Sequence, residues 1–364
     1  MEINTFAAKS ASLGSFEHMP MKRYAPGDYD VSFDIKYSGI CHTDVHLVEN
    51  DFGNSQYPLV PGHEMIGVVT SAGSKVSNFK VGDYVGVGCM VDSCQECKFC
   101  KMDEEQYCAS GYTSTYGGVS QYGRCGEAGN PTIGGYSDKM VVHEKFAVKV
   151  PQNAPLDRAA PLLCAGITMY EPIIHHNVGK DTKIGIVGLG GLGSMGVKIA
   201  VAKGANVTVL STSPAKKEAA LAMGASNFLV TTDKELMASA KGSLDIILDT
   251  VSADHAIIPY HELLCTDGKL VIIGINTQPF KVSGAHLIFG RHSLTGSLFG
   301  GMKRTQEMMD FCCANNVFPD IELVDSKQIM ETLQKLKGKN DTAKRFVIDC
   351  STIAPAKANT RSGG

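Results

Sequence analysis

Apolar positions along the chain fall into two textures. From about residue 30 to 150 they come as short runs broken by Gly, Asp and Pro, as in Val31–Ile35, Met65–Ser71, Tyr84–Val87 and Met140–Lys149. That pattern predicts a β-rich, loop-rich region. The texture changes near Ala159. From Lys183 the apolar runs Lys183–Gly188, Asn206–Thr212, Asn227–Val230, Leu244–Val251, Lys269–Gly274 and Leu294–Phe299 read as strands, with helical stretches such as Leu192–Lys203 and Pro214–Met223 between the early ones. Pro214 suits a helix first turn, where its missing N–H is not needed. Buried strands alternating with helices predict an α/β fold with a parallel, doubly wound sheet. The chain then returns to mixed texture and ends in the strand-like run Arg345–Asp349. The parallel sheet therefore reads as an insertion into a β-rich domain that the C-terminal segment completes. The expected divisions are 1–155 for the first part, 156–297 for the sheet domain and 298–350 for the completing segment. A cysteine-rich lobe is expected at about 89–115, and a tail at 351–364, rich in Ala, Thr, Ser and Gly, is predicted to be disordered.

At 364 residues the chain is too long for one ordinary core, which agrees with two domains. A net charge of −3 with no basic tract gives no electrostatic footprint for nucleic acid or an acidic membrane surface. No apolar stretch is long enough to span a bilayer, and Met1-Glu2-Ile3-Asn4-Thr5 does not begin a secretory signal. A cytoplasmic location is the expectation. In that setting the twelve cysteines point to metal ligation rather than disulfides.

Cys94, Cys97, Cys100 and Cys108 form a C-x2-C-x2-C-x7-C run. Four thiolates this close in sequence can close a tetrahedral shell around one zinc ion, leaving no position open for chemistry. The spacing departs from the ferredoxin pattern, and no Pro follows Cys108. Asp92, Glu96, Asp103, Glu104 and Glu105 surround the run with negative charge, which excludes a nucleic-acid-binding zinc module. A second signal is Gly188-Leu189-Gly190-Gly191-Leu192-Gly193, a G-x-G-x-x-G sequence between a predicted strand and a predicted helix. Its glycines let the backbone turn sharply and approach a pyrophosphate held at the helix N-terminus. The next strand ends in Ser211-Thr212-Ser213 followed by Lys216, with no acid before Glu218. Hydroxyls and ammonium groups accept a ribose 2′-phosphate that a carboxylate would repel, so NADP(H) is predicted.

Five motifs occur in order: Gly39-Ile40-Cys41-His42-Thr43-Asp44, Pro61-Gly62-His63-Glu64, the cysteine run, Ala160 to Thr168 around Cys164, and the glycine fingerprint. Together they resemble the zinc-dependent medium-chain alcohol dehydrogenases, and most of all the NADP-dependent, cinnamyl alcohol dehydrogenase-like branch. The resemblance covers residues from about 5 to 350. It implies a GroES-like catalytic domain around a Rossmann insertion, two Zn2+ per chain, a small aldehyde or alcohol substrate, and a homodimer. It further implies a catalytic zinc on Cys41, His63 and Cys164, the Cys2His set of alcohol dehydrogenase. Glu64 is either a further ligand or a carboxylate behind the ligands. Asp44 is either the partner of the His63 ring or a helix N-terminal residue. Thr43 would hand a proton through the cofactor ribose to His46. Thr168, Thr250, Gly274 and Ser297-Leu298-Phe299 resemble cofactor contacts, and Thr113 and Leu298 resemble pocket walls.

At those two pocket positions the plant cinnamyl enzymes commonly carry aromatic residues, and this chain has no Trp at all. Thr113-Ser114-Thr115-Tyr116 resembles instead the broad aldehyde reductases of the branch. Two other readings are an iminium or enal reductase that keeps the zinc, and a non-catalytic NADPH- and zinc-binding redox sensor. The glycine-rich segment 117–130 has no assigned place.

Overall fold

The computed structural model describes residues 1–276, 278–338 and 343–353. The chain divides into two compact units. One holds the chain up to Leu163 together with the segments that begin at Ile321 and Arg345; the other holds Cys164–Asp320.

The first unit is built on a seven-stranded sheet. Its path runs Ile321–Val324, Arg345–Asp349, Asp30–Ile40, Met65–Ala72, Tyr84–Val87 and Val148–Val150, with Lys139–His143 also paired to Asp30–Ile40. The pairings are antiparallel except between Ile321–Val324 and Arg345–Asp349. Asp30–Ile40 is the hub, because its eleven residues bond Arg345–Asp349 at one end and Lys139–His143 at the other. Its buried face carries Val31, Phe33 and Ile35. Ser32 between them is buried as well, and most of these strands are buried at consecutive positions rather than alternately, so the sheet is covered on both faces over much of its length.

The second unit is an all-parallel six-stranded sheet ordered Asn227–Val230, Asn206–Ser211, Lys183–Val187, Leu244–Asp249, Leu264–Ile272, Ser293–Gly296. In chain order this is 3-2-1-4-5-6, the doubly wound Rossmann arrangement. Ile184, Ile186, Val207, Val209, Ile247 and Leu248 are buried at its centre, so the strands read as continuous apolar runs. The predicted fold class holds.

Several boundaries differ from the sequence reading. The last strand ends at Gly296, leaving Ser297, Leu298 and Phe299 outside the ladder apart from a bond from Ser297 N–H to the Ile272 carbonyl. The second predicted helix starts as a 3-10 turn, Pro214–Lys216, before the α-helix Lys217–Ala222. The units divide at 163/164 and 320/321 rather than at 155/156 and 297/298. Helix Met302–Ala314 accounts for the second difference: it packs on helix Ala165–His175 through Tyr170 against Phe311 and Arg304 on Glu171. The tail expected from 351 begins with an ordered 3-10 turn, Cys350–Thr352, tied by Ser326 Oγ–H to the Thr352 carbonyl. Residues from 354 on lie outside the described residues. Among the described residues no helix is long and apolar enough to cross a membrane.

Candidate active site

Cys41 directly follows the hub strand and is the N-cap of the short helix His42–Glu49. His63 and Glu64 precede the neighbouring strand Met65–Ala72, and Cys164 directly follows the 3-10 turn Ala160–Leu163. Their ligand atoms all lie within 4.8 Å of one another, and all but the half-buried Cys164 are buried. Two sulfurs, one imidazole and one carboxylate in that space form a donor set suited to zinc.

Asp44 lies below His63 and is fully buried. Its Oδ2 accepts the Cys41 N–H at 2.8 Å and the Tyr136 hydroxyl at 3.0 Å; its Oδ1 accepts the Tyr116 hydroxyl and the Gly62 N–H. His63 Nδ1 stands 3.7 Å from Oδ1, close enough for charge attraction and too far for a hydrogen bond. Asp44 thus caps its own helix, and its hydrogen bonds go to donors other than His63. Tyr116 is stacked on the ring, with centroids 5.6 Å apart and planes 9° from parallel. Burial raises the Asp44 carboxyl above its usual range, with the His63 charge opposing. Burial and the nearby Asp44 push both tyrosines well above 10, so they remain donors.

Glu64 is also fully buried, and Arg345 Nη2 donates to its Oε1. Burial lifts its carboxyl to about 8 even against Arg345. Its Oε2 has no hydrogen-bond partner. An orphaned buried carboxylate oxygen beside two thiols and an imidazole fits a cation between them. Thr43 occupies the first turn of the same helix, where its hydroxyl receives the Cys41 thiol at 3.6 Å. His46 lies one turn further and is partly exposed, with Nδ1 at 2.6 Å from Asp51.

The four-cysteine run closes a second cluster, with its ligand atoms also within 4.8 Å of one another. Sulfurs at about 2.3 Å from a tetrahedral zinc stand roughly 3.8 Å apart. Cys94–Cys100 and Cys97–Cys100 are at 3.8 and 3.6 Å. Backbone N–H groups of Cys97, Cys94 and Ala109 point at the sulfurs of Cys94, Cys108 and Cys97 respectively, which stabilises thiolates. Such bonds from the backbone hold Cys97 at about 6, while burial pushes Cys100 up to about 12. The segment left unplaced by sequence straps this lobe. Arg124 Nε and Nη2 bond Asp92 Oδ1 at 3.0 and 2.9 Å, and the Tyr122 hydroxyl donates to the Gly111 carbonyl at 2.5 Å.

In the second unit the glycine fingerprint turns from strand Lys183–Val187 into helix Gly191–Ala202. Gly188 has φ +86, a left-handed value that favours glycine. A Cβ on Gly193 would sit 2.0 Å from the Gly188 carbonyl oxygen, so only glycine lets the helix pack this close. At Gly190 a Cβ would meet nothing within 4 Å, and this is the open cradle where a pyrophosphate fits. Leu189 is buried beneath the turn, and Gly191 and Leu192 begin the helix. The Thr250 hydroxyl donates to the Val187 carbonyl at the strand ends where the sheet order reverses, and Gly274, past the end of the neighbouring strand Leu264–Ile272, abuts Val251. Ser211 is buried at its strand end, Thr212 is exposed, and Ser213 and Lys216 are half-buried. Thr168 lies in helix Ala165–His175 with its N–H on the Cys164 carbonyl.

Sequence reasoning missed Arg345 and Tyr136, and it quoted Tyr116 only within Thr113–Tyr116 without a role at the metal-binding cluster. Arg345 had a faint signal, as a charged residue opening an apolar strand; Tyr136 had none.

Comparison with known proteins accords with this geometry. The alcohol dehydrogenase GroES-like domain matches residues 27–152 and the zinc-binding dehydrogenase domain residues 191–314. The 8-hydroxygeraniol dehydrogenase of Catharanthus roseus is 47% identical over 94% of this chain and 94% of its own length. NADP-dependent alcohol dehydrogenase C of Mycobacterium bovis is 45% identical over 96% and 99%. A cinnamyl alcohol dehydrogenase structure from Sorghum bicolor superposes with a TM-score of 0.92 at 42% identity, covering 96% of this chain and 98% of that one. With its two clusters of metal-binding side chains and likeness of this extent, the chain belongs to the zinc-binding alcohol dehydrogenase family of oxidoreductases.

Proposed function

We propose that the protein interconverts a primary alcohol and its aldehyde by hydride exchange with NADP(H), in the manner of the cinnamyl-type and broad aldehyde-reducing members of its family. The convergence of Cys41, His63, Glu64 and Cys164 carries this reading. Cys41, His63 and Cys164 would hold the catalytic zinc, which supplies Lewis acidity toward a carbonyl oxygen. Two thiolates cancel the formal charge of the ion, so neutral substrate and product exchange easily. Glu64, bonded through one oxygen to Arg345, would offer its other oxygen as a fourth donor when substrate is absent. Thr43 and His46, three residues apart, share a helix face; Thr43 holds the reacting oxygen's proton and His46 exchanges it with water. Gly188–Gly193 would seat NADP(H), whose chemistry when bound is hydride transfer, and Ser211, Ser213 and Lys216 would receive its 2′-phosphate. Cys94, Cys97, Cys100 and Cys108 would hold a purely structural zinc.

Two further features complete the reading. Among the described residues, strand Ser293–Gly296 is an outer edge of the parallel sheet, and Ile288 and Phe289 shortly before it in the chain are 75% and 91% exposed. An edge of this kind supports a homodimer. None of the twelve cysteines is in a disulfide, which supports a reducing, cytoplasmic setting.

The test is zinc analysis combined with NADPH oxidation over a panel of aliphatic, aromatic and cinnamyl aldehydes. Two zinc ions per chain and turnover are expected. Cys164→Ser should abolish turnover while leaving NADPH binding intact; full turnover in that variant, or NADPH binding without turnover in the parent, would refute the reading.

A further inference from the structure

In the second unit, His255 faces two acceptors at once. Its Nε2 lies 2.7 Å from Asp249 Oδ2, and its Nδ1 lies 2.8 Å from the Ala253 carbonyl oxygen. A carbonyl oxygen only accepts, so Nδ1 carries a proton. A neutral ring would then turn the bare Nε2 lone pair toward a carboxylate oxygen. The pair therefore keeps one proton more than a neutral imidazole and a carboxylate hold between them, seated on Nε2 or on Oδ2. Asp249 is 1% exposed, and its other oxygen accepts the Val251 N–H at 3.1 Å. Burial raises its carboxyl above the usual range, with the bond from His255 opposing.

These bonds close the loop 250–255, which follows strand Leu244–Asp249. Asn276 holds the same loop through Nδ2, which lies within 3.4 Å of the carbonyl oxygens of Val251, Ser252 and Ala253. The start of the loop packs on the glycine turn. A Cβ on Gly188 would sit 3.0 Å from Thr250 Oγ1 and 3.2 Å from Val251 Cγ2, and one on Gly193 would sit 3.4 Å from Thr250 Oγ1. Where the loop lies therefore sets one wall of the glycine cradle.

We propose that Asp249 and His255 are positioning residues for the cofactor: a proton-held clip that fixes Thr250 and Val251 against the glycine turn, so that NADP(H) affinity falls when the proton leaves. The inference rests on the cofactor reading above and adds control of that site by pH. The closed loop binds a proton that the opened loop releases, so closure is favoured at lower pH and weakens as pH rises. Once the proton is gone, the ring can serve Asp249 or Ala253 but not both. The surroundings do not replace it. Tyr260, on helix Ile258–His261, has its ring 5.9 Å from that of His255, and burial holds its hydroxyl above the ordinary range, so it stays neutral. His261 on the same helix bonds His292 instead. Phe280 packs edge-on without charge, and Asp254 and Lys281, adjoining His255 and Phe280 in the chain, are exposed.

The test is NADPH binding to the zinc-loaded full-length protein, followed by cofactor fluorescence from about pH 7 to about pH 9, where the 2′-phosphate is already fully ionised. The parent Kd should rise about tenfold over that span, the worth of one hydrogen bond to a charged group. Asp249→Asn is the telling variant. Its amide N–H donates to a bare Nε2 and its oxygen still accepts from Val251, so a neutral ring completes the same bonds without the extra proton. It should bind like the parent at neutral pH and lose the alkaline decline. His255→Ala should bind about tenfold more weakly at neutral pH, with no decline of its own. A flat parent profile, a decline that survives in Asp249→Asn, or parent-like binding by His255→Ala would overturn the proposal. Failure of the parent to bind NADPH at any pH would instead sink the cofactor reading, and this inference with it.

Discussion

At the scale of single residues, Asp44 shows what the sequence hides. Motif order drew attention to it, but its neighbours could not be read from spacing, because Tyr116 and Tyr136 arrive from 72 and 92 residues away. Its two oxygens serve four donors. Asp44→Asn would turn an amide N–H toward at least one of those donors. Because the site is fully buried, the change should cost about 2 kcal/mol of stability. Thermal unfolding together with the zinc retained per chain would check this; an unchanged melting temperature and two retained zinc ions would count against it. The glycine fingerprint was the opposite case. Its purpose follows from local sequence alone, since the strand before and the helix after are both contiguous with it, and the Gly193–Gly188 approach is a short-range contact.

At the scale of elements, most strands with continuous apolar runs were legible to within a residue or two, as for Asn227–Val230, but Leu264–Ile272 starts well before its expected Lys269 and Ser293–Gly296 stops short of Phe299. Helices Ala165–His175 and Met302–Ala314 were not, because the former is apolar on nearly all sides and includes Pro172. The strap over the cysteine lobe was also illegible. It lacks regular structure, and its glycines signal only turns. Its effect depends on Arg124, whose guanidinium neutralises the buried Asp92. Arg124→Ala should leave that carboxylate without its countercharge and lower stability by about 2 kcal/mol, since the arginine itself is partly exposed. Zinc release to a chelator should quicken in parallel. Melting and release curves identical to the parent would mean that the strap merely lies on the lobe.

At the scale of the whole molecule, two domains and the insertion of one within the other were visible as a change of texture. The points of division were not, because contacts between Met302–Ala314 and Ala165–His175 join stretches that are remote in sequence. The open sheet edge carries the prediction for this scale. Phe289→Glu should yield a monomer by size-exclusion chromatography coupled to light scattering, because a charge at so exposed an apolar position opposes burial against a second copy. A dimer that persists undiminished would place the contact elsewhere.

The pairing of Arg345–Asp349 with Tyr37–Ile40 has a further consequence, for biosynthesis. Domains form as units while the ribosome delivers them, and closing a loop of some three hundred residues must wait for its far end. The inserted nucleotide-binding unit therefore has all but its last short segment before its host does. Until the final strand emerges, the hub strand keeps a naked border and Glu64 lacks its guanidinium. Nascent chains stalled before Arg345 should accordingly be those most prone to chaperone capture.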